Sequence, residues 1–229
     1  MRNTILVIAC LLLSLQIKAQ IIIEYSVNYG GYNMADMKAY LSDNLTSVLY
    51  IVPGLELATT DNFPSYLIHK FNAGYQMESH EFGLTGAYLT TAGKFSYADY
   101  SGKLSHQINV NGYRVGFFYR YYFEKFSLRN NRAISIFGEL SPSMVSSKVK
   151  INQEVLPQNS LINSYSQSVN SADLSIFSGI GTLFEISDHI GLSFTIGYDI
   201  NTSTAIPDLD NRKVEWSGFR IGIGARCRF

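Results

Sequence analysis

The sequence predicts an all-β fold: an eight-stranded antiparallel up-and-down transmembrane β-barrel with short periplasmic turns and long extracellular loops. First, the composition is rich in Tyr (16), Phe (14) and Gly (18), a mix that favours strands over helices. Second, apolar and polar residues alternate with a period of two in eight segments. Third, the links between these segments are alternately long and short, so all short turns lie at one end.

Each predicted strand is long enough to cross a bilayer at a tilt, which takes about 9 to 11 residues. The last is the clearest, because apolar residues occupy every odd position from Phe219 to Phe229. The long connections are predicted at 31–65, 92–105, 146–170 and 201–213, with a short helix within 35–49 and a mobile, Ser-, Asn- and Gln-rich loop at 146–170. The strands are predicted at 21–30, 66–77, 81–91, 108–123, 134–145, 173–186, 190–200 and 214–229.

The first 19 residues have the pattern of an export signal. Arg2 gives a basic start, an apolar run extends over 5–15, and Ala19 is a small residue at a plausible cleavage point before Gln20. The apolar run is too short to span a bilayer, which takes about 20 residues in a helix. We therefore predict a signal peptide over 1–19, which is removed, and one barrel domain over 20–229.

Charge is balanced in this chain. Lys and Arg number 18 against 18 Asp and Glu, and only 16% of the residues are charged. This balance argues against a nucleic-acid partner, because binding to nucleic acid would require an excess of Lys and Arg on one face of the protein.

The charges share a strand face with many glycines, whereas the other face is apolar with aromatic residues towards both strand ends. An exported soluble barrel of the lipocalin type would instead place Lys, Glu and Thr outside and few glycines. Small residues with charges of both signs suit the crowded lumen of an eight-stranded barrel in lipid. The predicted lumen charge network comprises Glu24, Lys70, Arg114, Arg120, Glu139, Asp173, Glu185, Asp199, Arg220 and Arg226.

Three features carry a resemblance to a known family: a signal ending in Lys18-Ala19-Gln20, Gly-rich strands such as 218–224, and a terminal Arg228-Phe229. With these features the chain resembles the porin-family outer-membrane β-barrel proteins abundant in Bacteroidota, which are Gram-negative. The resemblance implies location in the cell outer membrane and little about activity. It also implies that the barrel assembly machinery reads the last strand, through Phe219, Ile221, Ile223 and Phe229.

No residue pattern predicts catalytic, cofactor-binding or metal-binding residues. The four histidines, at 69, 80, 106 and 189, do not share a metal-ligand spacing. Ser79, His80 and Glu81 resemble a hydrolase set, but neighbouring residues on a strand point apart and cannot form a triad. Asp99, His106, Asp208 and Asp210 lie in the predicted outer loops, where a barrel protease would carry acidic and histidine groups, but acids in loops are usually only solvated.

The sequence therefore predicts a non-enzymatic integral outer-membrane barrel of structural or surface-interaction type, with a lumen filled by charge. Two alternatives stay open: a narrow porin for small solutes, and a barrel-embedded lipid A-modifying or proteolytic enzyme. The predicted partners are outer-membrane lipid, the barrel assembly machinery during biogenesis, and an unidentified surface or complex partner bound through the loops; no cofactor is predicted.

Overall fold

Eight long antiparallel strands pair around a complete ring. The computed structural model describes residues 20–51, 54, 56–61, 63–64, 66–100, 102–127, 132–157 and 163–229; the predicted signal peptide lies outside them. The ring order is β1, β3, β4, β5, β6, β7, β8, β11 and back to β1. The elements are β1 (Gln20–Gly30), α1 (Ala35–Ile51), β2 (Ala58–Thr60), β3 (Ile68–Met77), β4 (His80–Asp99), β5 (Gly102–Ser127), β6 (Ala133–Pro157), β7 (Asn163–Glu185), β8 (Ile190–Thr202), β9 (Ala205–Ile206), a 3₁₀ turn (Pro207–Leu209), β10 (Arg212–Lys213) and β11 (Gly218–Arg228).

The last strand closes the barrel against the first. Val27 of β1 lies opposite Ile223 of β11, and the pairing continues over the length of both strands. Backbone hydrogen bonds between Ile21 and Phe229, at 3.2 and 2.9 Å, complete the ladder at the short-turn end. Because every long strand has a neighbour on both sides, the ring has no open edge. The predicted eight-stranded up-and-down barrel is confirmed.

Two of the predicted long loops are wrong. Most of 92–105 belongs to β4 and β5, and the described parts of 146–170 belong to β6 and β7. The period of two continues through these segments, but its polarity is reversed, so they do not match the pattern of the membrane strands. Residues 158–162, the rest of the predicted mobile loop, lie outside the described residues.

Strand β6 shows the reversal along a single element. Its odd residues face inward throughout, and they change from Glu139, Ser141 and Ser143 to the apolar positions that begin at Val145. Its outward even residues change at the same level, from apolar up to Met144 to polar from Ser146. Below this level the barrel is charged inside and apolar outside; above it, the barrel is apolar inside and polar outside.

Tyr88, Tyr113 and Ser146 lie side by side at the level of the reversal, on β4, β5 and β6. We call this level the tyrosine row. The two tyrosine rings are 5.3 Å apart, and the outward residues of β5 from Tyr113 to Phe123 are mostly exposed and apolar. These eleven residues rise about 33 Å along the strand, hence about 25 Å at a tilt of about 40°, which is the height of an apolar barrel band.

A cap stands beyond the tyrosine row. It consists of α1, β2, β9, β10, the upper parts of β4 to β7, and the described segments 31–34, 63–64 and 214–217 that pack against them. The helix predicted within 35–49 is present as α1, and its inner face follows an i, i+4 spacing, with Met37 and Leu41 buried and Leu45 partly buried. Asp36 lies in its first turn, where a carboxylate is favourable. Among the described residues, no helix is long and apolar enough to cross a membrane.

Trp216 lies at the centre of the cap and is fully buried. Its indole nitrogen donates a hydrogen bond to Ser147 Oγ at 2.8 Å, and Gly112 gives it room, since a Cβ there would lie 3.0 Å from the ring. The aliphatic and aromatic side chains around it form one core, which includes Met34, Met37, Leu41, Phe63, Leu89, Phe95, Ile108, Val110, Val145, Val149, Ile151, Ile206, Leu209 and Val214.

Candidate functional site: the charged lumen

The lower half of the lumen is built around Arg120, an inward residue of β5 that is 1% exposed. Its guanidinium donates two hydrogen bonds to Glu24, at 2.6 and 2.7 Å, and one from Nε to Glu139 at 2.8 Å. A third carboxylate, Glu81, lies 3.4 Å away. Carboxylates from β1, β4 and β6 therefore converge on one cation from β5, which ties four strands across the lumen.

Two further cations balance these carboxylates. Lys70 pairs with the other oxygen of Glu139, and Arg226 pairs with Glu81 at 2.7 Å. The group is completed by Tyr122, whose hydroxyl donates to Glu81 at 2.5 Å and accepts from Arg226 at 2.5 Å. We call this group the lower ion cluster; its three cations and three anions are Lys70, Arg120 and Arg226 with Glu24, Glu81 and Glu139.

Aromatic rings fill the space beside the cations. The Arg120 guanidinium lies 4.7 Å from the Phe137 ring centre and 5.5 Å from that of Phe118. Lys70 lies 5.2 Å from the Phe177 ring centre. These distances lie within the range of cation–π attraction, so the rings pack the lumen and stabilise the charge at the same time.

An upper ion cluster lies closer to the tyrosine row. Asp199 of β8 is fully buried and pairs with Arg114 of β5. Arg220 of β11 is 3.6 Å from the same carboxylate, and Ser175 of β7 donates to it at 2.5 Å. One acid thus joins three other strands at this level.

Arg220 connects this cluster to the cap. It donates to the backbone carbonyl of Gly31 at 2.6 Å and to that of Trp216. Its guanidinium lies 4.9 Å from the ring centre of Tyr32, which contacts the Trp216 indole edge to face at 4.8 Å. Arginine, tyrosine and tryptophan therefore lie one above another where the lumen meets the cap.

Little free space remains inside. Between the two clusters lies a cavity of about 30 Å³, lined among others by Lys70, Arg114 and Arg220, which is the volume of about one water molecule. A wider vestibule of about 660 Å³ opens at the short-turn end and reaches inward to Tyr122 and Leu183. Within the part of the chain that the structure describes, both clusters and the cap core lie between this vestibule and the opposite end.

Nine of the ten predicted lumen charges form ion pairs. Glu185 does so at the mouth of the vestibule, with Lys125 at 2.6 Å and Arg228 at 3.1 Å. Asp173 is the exception: it is buried but accepts a hydrogen bond from the Thr204 backbone nitrogen at 2.6 Å. The other eight belong to the two clusters: Glu24, Lys70, Arg120, Glu139 and Arg226 in the lower, and Arg114, Asp199 and Arg220 in the upper.

Glu81 and Tyr122 are members of the lower ion cluster that the predicted network lacks. Glu81 is fully buried, although the sequence pattern places it beside a turn. The sequence does contain a pattern that indicates the inward position of Glu81: Phe82 is outward, and neighbouring residues on a strand point to opposite faces. Tyr122 shares the inward parity of Arg120 and contributes a hydroxyl rather than a charge.

The residues considered for catalysis are not brought together. His80 faces outward, hydrogen-bonded to the Tyr119 hydroxyl at 2.8 Å, while Glu81 points into the lumen. His106 is buried in the cap and stacks on Phe95 with ring centres 5.0 Å apart; this burial lowers its pKa. Asp99 accepts from Tyr97 at 2.7 Å, a bond that raises the pKa of the Tyr97 phenol. Asp208 and Asp210 are exposed in the segment between β9 and β10.

No group of three or more His, Cys, Asp or Glu side chains suited to a metal ion occurs among the described residues. His69 is outward on β3 and hydrogen-bonded to the Tyr25 hydroxyl at 2.7 Å. His189 donates through Nδ1 to the Arg228 carbonyl at 3.0 Å. Most of the described lumen donors and acceptors are paired with one another; Arg114 Nε and the Tyr32 hydroxyl are buried without a hydrogen-bond partner among the described residues.

The outer face of the barrel indicates whether it is surrounded by water or by lipid. A closed ring with an apolar band outside and paired charges inside satisfies its backbone internally and meets hydrocarbon with its outer face. Gln20, where β1 begins, Phe229, which follows β11, and the turns at 78–79 and 186–189 lie at the same end, which is the periplasmic end of such barrels. The molecule is a transmembrane β-barrel of the cell outer membrane.

Comparison with known proteins gives structural neighbours only: no family model and no curated protein matches the sequence. The chain is similar to Neisserial surface protein A (TM-score 0.43, 10% identity), with 92% of this chain and 97% of that chain covered. It is also similar to Ail, the attachment invasion locus protein of Yersinia pestis (0.38, 16%), again with 92% and 97% covered. A third neighbour is the N-terminal β-barrel domain of Pseudomonas aeruginosa OprF (0.34, 11%), with 93% and 100% covered.

Proposed function

We propose that this barrel is a non-enzymatic outer-membrane protein with a closed lumen, whose cap makes contacts at the cell surface. The observation that carries the proposal is the stack of lower cluster, upper cluster and cap core across the lumen. An eight-stranded barrel leaves just enough interior for side chains, and here paired charges and rings fill it.

Planar-bilayer recording tests the closed lumen. We expect no steady single-channel steps from the wild-type protein. Steady steps that change in Arg114→Ala or Glu139→Ala would overturn the proposal in favour of a narrow porin, because both side chains line the only path through the ion clusters among the described residues. The Lys103→Ala variant is the control, since Lys103 lies on the exposed outer surface and pairs with Glu154 at 3.0 Å.

Exposed apolar side chains on the cap support the surface-contact part. Tyr50 and Ile51 at the end of α1 are 88% and 76% exposed, and Tyr100 between β4 and β5 is 86% exposed. Large aromatic side chains that stand clear of lipid are typical anchors for protein contacts. A photoreactive amino acid at Tyr100 should give a discrete protein adduct on intact cells, whereas the same group at lipid-facing Phe117 should not. Identical adduct patterns from both positions would contradict the proposal.

The finer assignment, a porin-family barrel of the Bacteroidota type exported by the signal at 1–19, rests on the last strand. Phe219, Ile223 and Phe229 are exposed on the outer face, and Ile221 is partly exposed between them. Such a row is available to the barrel assembly machinery before the strand pairs with β1. Deleting Phe229 should reduce the amount of heat-modifiable protein in outer-membrane fractions, and unchanged amounts would remove this role. Recovery of the wild type as a soluble periplasmic protein would overturn the whole proposal.

A further inference from the structure

The outer surface of the cap is a regular grid just above the tyrosine row. Strand register aligns its outward side chains into rows, each about 6.6 Å further along the strands. The first row is Thr90, Asn111, Lys148 and Asn170; the second is Ala92, Asn109, Lys150 and Ser168; the third is Lys94, Gln107, Asn152 and Ser166.

These twelve positions contain three lysines and no carboxylate. Lys94, Lys148 and Lys150 are exposed, and within the described residues none of their ammonium groups has an ion-pair partner. Two acids of the same strands lie beyond the third row: Asp99 of β4, and Glu154 of β6, which pairs with Lys103 at 3.0 Å. The other acids nearby, Asp36 and Asp43 on α1 and Asp208 and Asp210 next to β9 and β10, lie on other elements of the cap. Within the three rows themselves the charged side chains are all positive.

The neighbours of the lysines are amides and hydroxyls that already have a fixed orientation. Asn111 accepts from Thr90 at 2.8 Å and from Tyr88 at 2.9 Å, which leaves its amide nitrogen free to donate outward. Gln107 donates to Asn109 at 2.9 Å. Ammonium and amide donors beside hydroxyls are the groups that bind phosphate and sugar oxygens.

The depth of the rows specifies the partner. With a tilt of about 40°, the first and second rows stand about 5 and 10 Å above the tyrosine row. The headgroup layer of a bilayer is about 5 to 7 Å thick on each side of the hydrocarbon. Lys148 lies within this layer, and the backbone of Lys150 lies about 3 Å above it, a distance that a lysine side chain spans, so both ammonium groups reach the phosphates of lipids next to the barrel.

We propose that this face of β4 to β7 binds the phosphorylated headgroup of a glycolipid of the outer leaflet. Lys148 and Lys150 hold the phosphate, and the flanking asparagines and serines contact the sugar. The inference rests on the outer-membrane placement of the barrel but not on a closed lumen or on a protein partner.

The test is a binding titration of the full barrel in uncharged micelles, with bound lipid counted by native mass spectrometry. The probes are bis-phosphorylated lipid A and the same lipid A with both phosphates removed. The wild type should prefer the phosphorylated form. Lys148→Gln with Lys150→Gln should weaken that binding by about fivefold per lysine, about 30-fold in total, and leave binding of the dephosphorylated lipid unchanged.

The matched control is Lys38→Gln with Lys213→Gln, which removes the same charge from α1 and β10 and should change affinity less than twofold. An equal loss in this control, or equal binding of the two lipids by the wild type, would overturn the proposal. Displacement of lipid A by millimolar inorganic phosphate would overturn it in favour of a simple anion site. Heat-modifiable migration of each variant shows beforehand that the barrel is folded, so loss of lipid binding is separable from failure of the outer-membrane assignment.

Discussion

Arg120 shows at the scale of one residue how the lumen tolerates charge. Taking a guanidinium out of water costs several kcal/mol, and one carboxylate seldom recovers that cost. Here Glu24, Glu81 and Glu139 surround the group, while Lys70 and Arg226 compensate the excess negative charge. Each charge thus depends on several others, and loss of the central cation leaves uncompensated acids in a closed interior.

Replacing Arg120 by methionine, which keeps most of the volume, should lower the free energy of unfolding by about 3–5 kcal/mol. The loss arises because the desolvated carboxylates no longer have their common cationic partner. Urea unfolding in neutral lipid vesicles measures this free energy. Lys103→Met, which breaks an ion pair whose side chains are 47% and 39% exposed, should cost about 1 kcal/mol or less. Similar losses in the two variants would show that the lower ion cluster is not a coupled unit.

His106 makes the cap sensitive to pH. Burial beside Phe95 lowers its pKa below 6.5, so below pH 6.5 the opened cap binds more protons than the folded one. The contribution of His106 to stability is therefore complete above that pH and declines as the pH falls toward the lowered value. The protection factors of the amides in 102–112, which are corrected for the intrinsic pH dependence of base-catalysed exchange, should fall as the pH is lowered from about 7.5 to about 5.5. His106→Phe should abolish this fall and exposed His80→Asn should retain it; protection factors that do not change with pH in the wild type would contradict the prediction.

At the scale of the element, the two halves of β6 have opposite patterns of inward and outward polarity. Up to Met144 its outward residues meet hydrocarbon, and from Ser146 onward they meet water. The inward residues change in the opposite sense at Val145. Secondary structure is continuous across the boundary, so the solvent outside, rather than the backbone, sets the polarity of each position.

A lysine scan along β6 should therefore measure the depth of the membrane. Leu140 lies opposite Tyr119, within the apolar band, and Leu140→Lys should destabilise the barrel by about 2–4 kcal/mol. Ser146→Lys, at the tyrosine row, should cost about 1 kcal/mol or less. Equilibrium unfolding from vesicles provides both values, and equal costs would place the hydrocarbon boundary elsewhere.

The same strand explains how far the sequence could predict the structure. The period of two assigns Arg120, Glu139 and Arg226 to the interior without knowledge of any contact, and the structure places all three there. The contact between Arg226 and Glu81 joins residues 145 positions apart, and only strand register brings them together. The sequence pattern predicts loops in place of the extensions of β4 to β7, because in a membrane strand the apolar residues face outward, whereas the cap buries the apolar residues of these extensions.

At the scale of the whole molecule, two cores with different chemistry are stacked along one axis. The ion clusters occupy the membrane level, and the apolar core around Trp216 occupies the level above it. Arg220 contacts both, through Asp199 below and the Trp216 carbonyl above. The ion clusters and the cap core therefore meet at Arg220, so a structural change in one of them alters the contacts of the other.

Trp216 is the single tryptophan of the chain and reports on this boundary. Because its ring is fully buried, we expect short-wavelength emission that iodide does not quench in the folded protein. Quenching should appear on heating together with the change in gel migration. Ser147→Val, which removes the hydrogen-bond acceptor of the indole, should shift the emission without changing the migration. Iodide quenching of the folded wild type would mean that the cap is open.

The reversal of polarity along β6 also bears on how the chain enters the bilayer. Lys148, Lys150 and their polar neighbours must cross the hydrocarbon before the barrel can close, and each lysine costs about 2–4 kcal/mol at the midplane. Spontaneous insertion is therefore opposed by a kinetic barrier that the finished protein does not show. A catalyst that thins or opens the bilayer while the hairpins pass lowers that barrier, and once they have passed, the same charges prevent the barrel from slipping back.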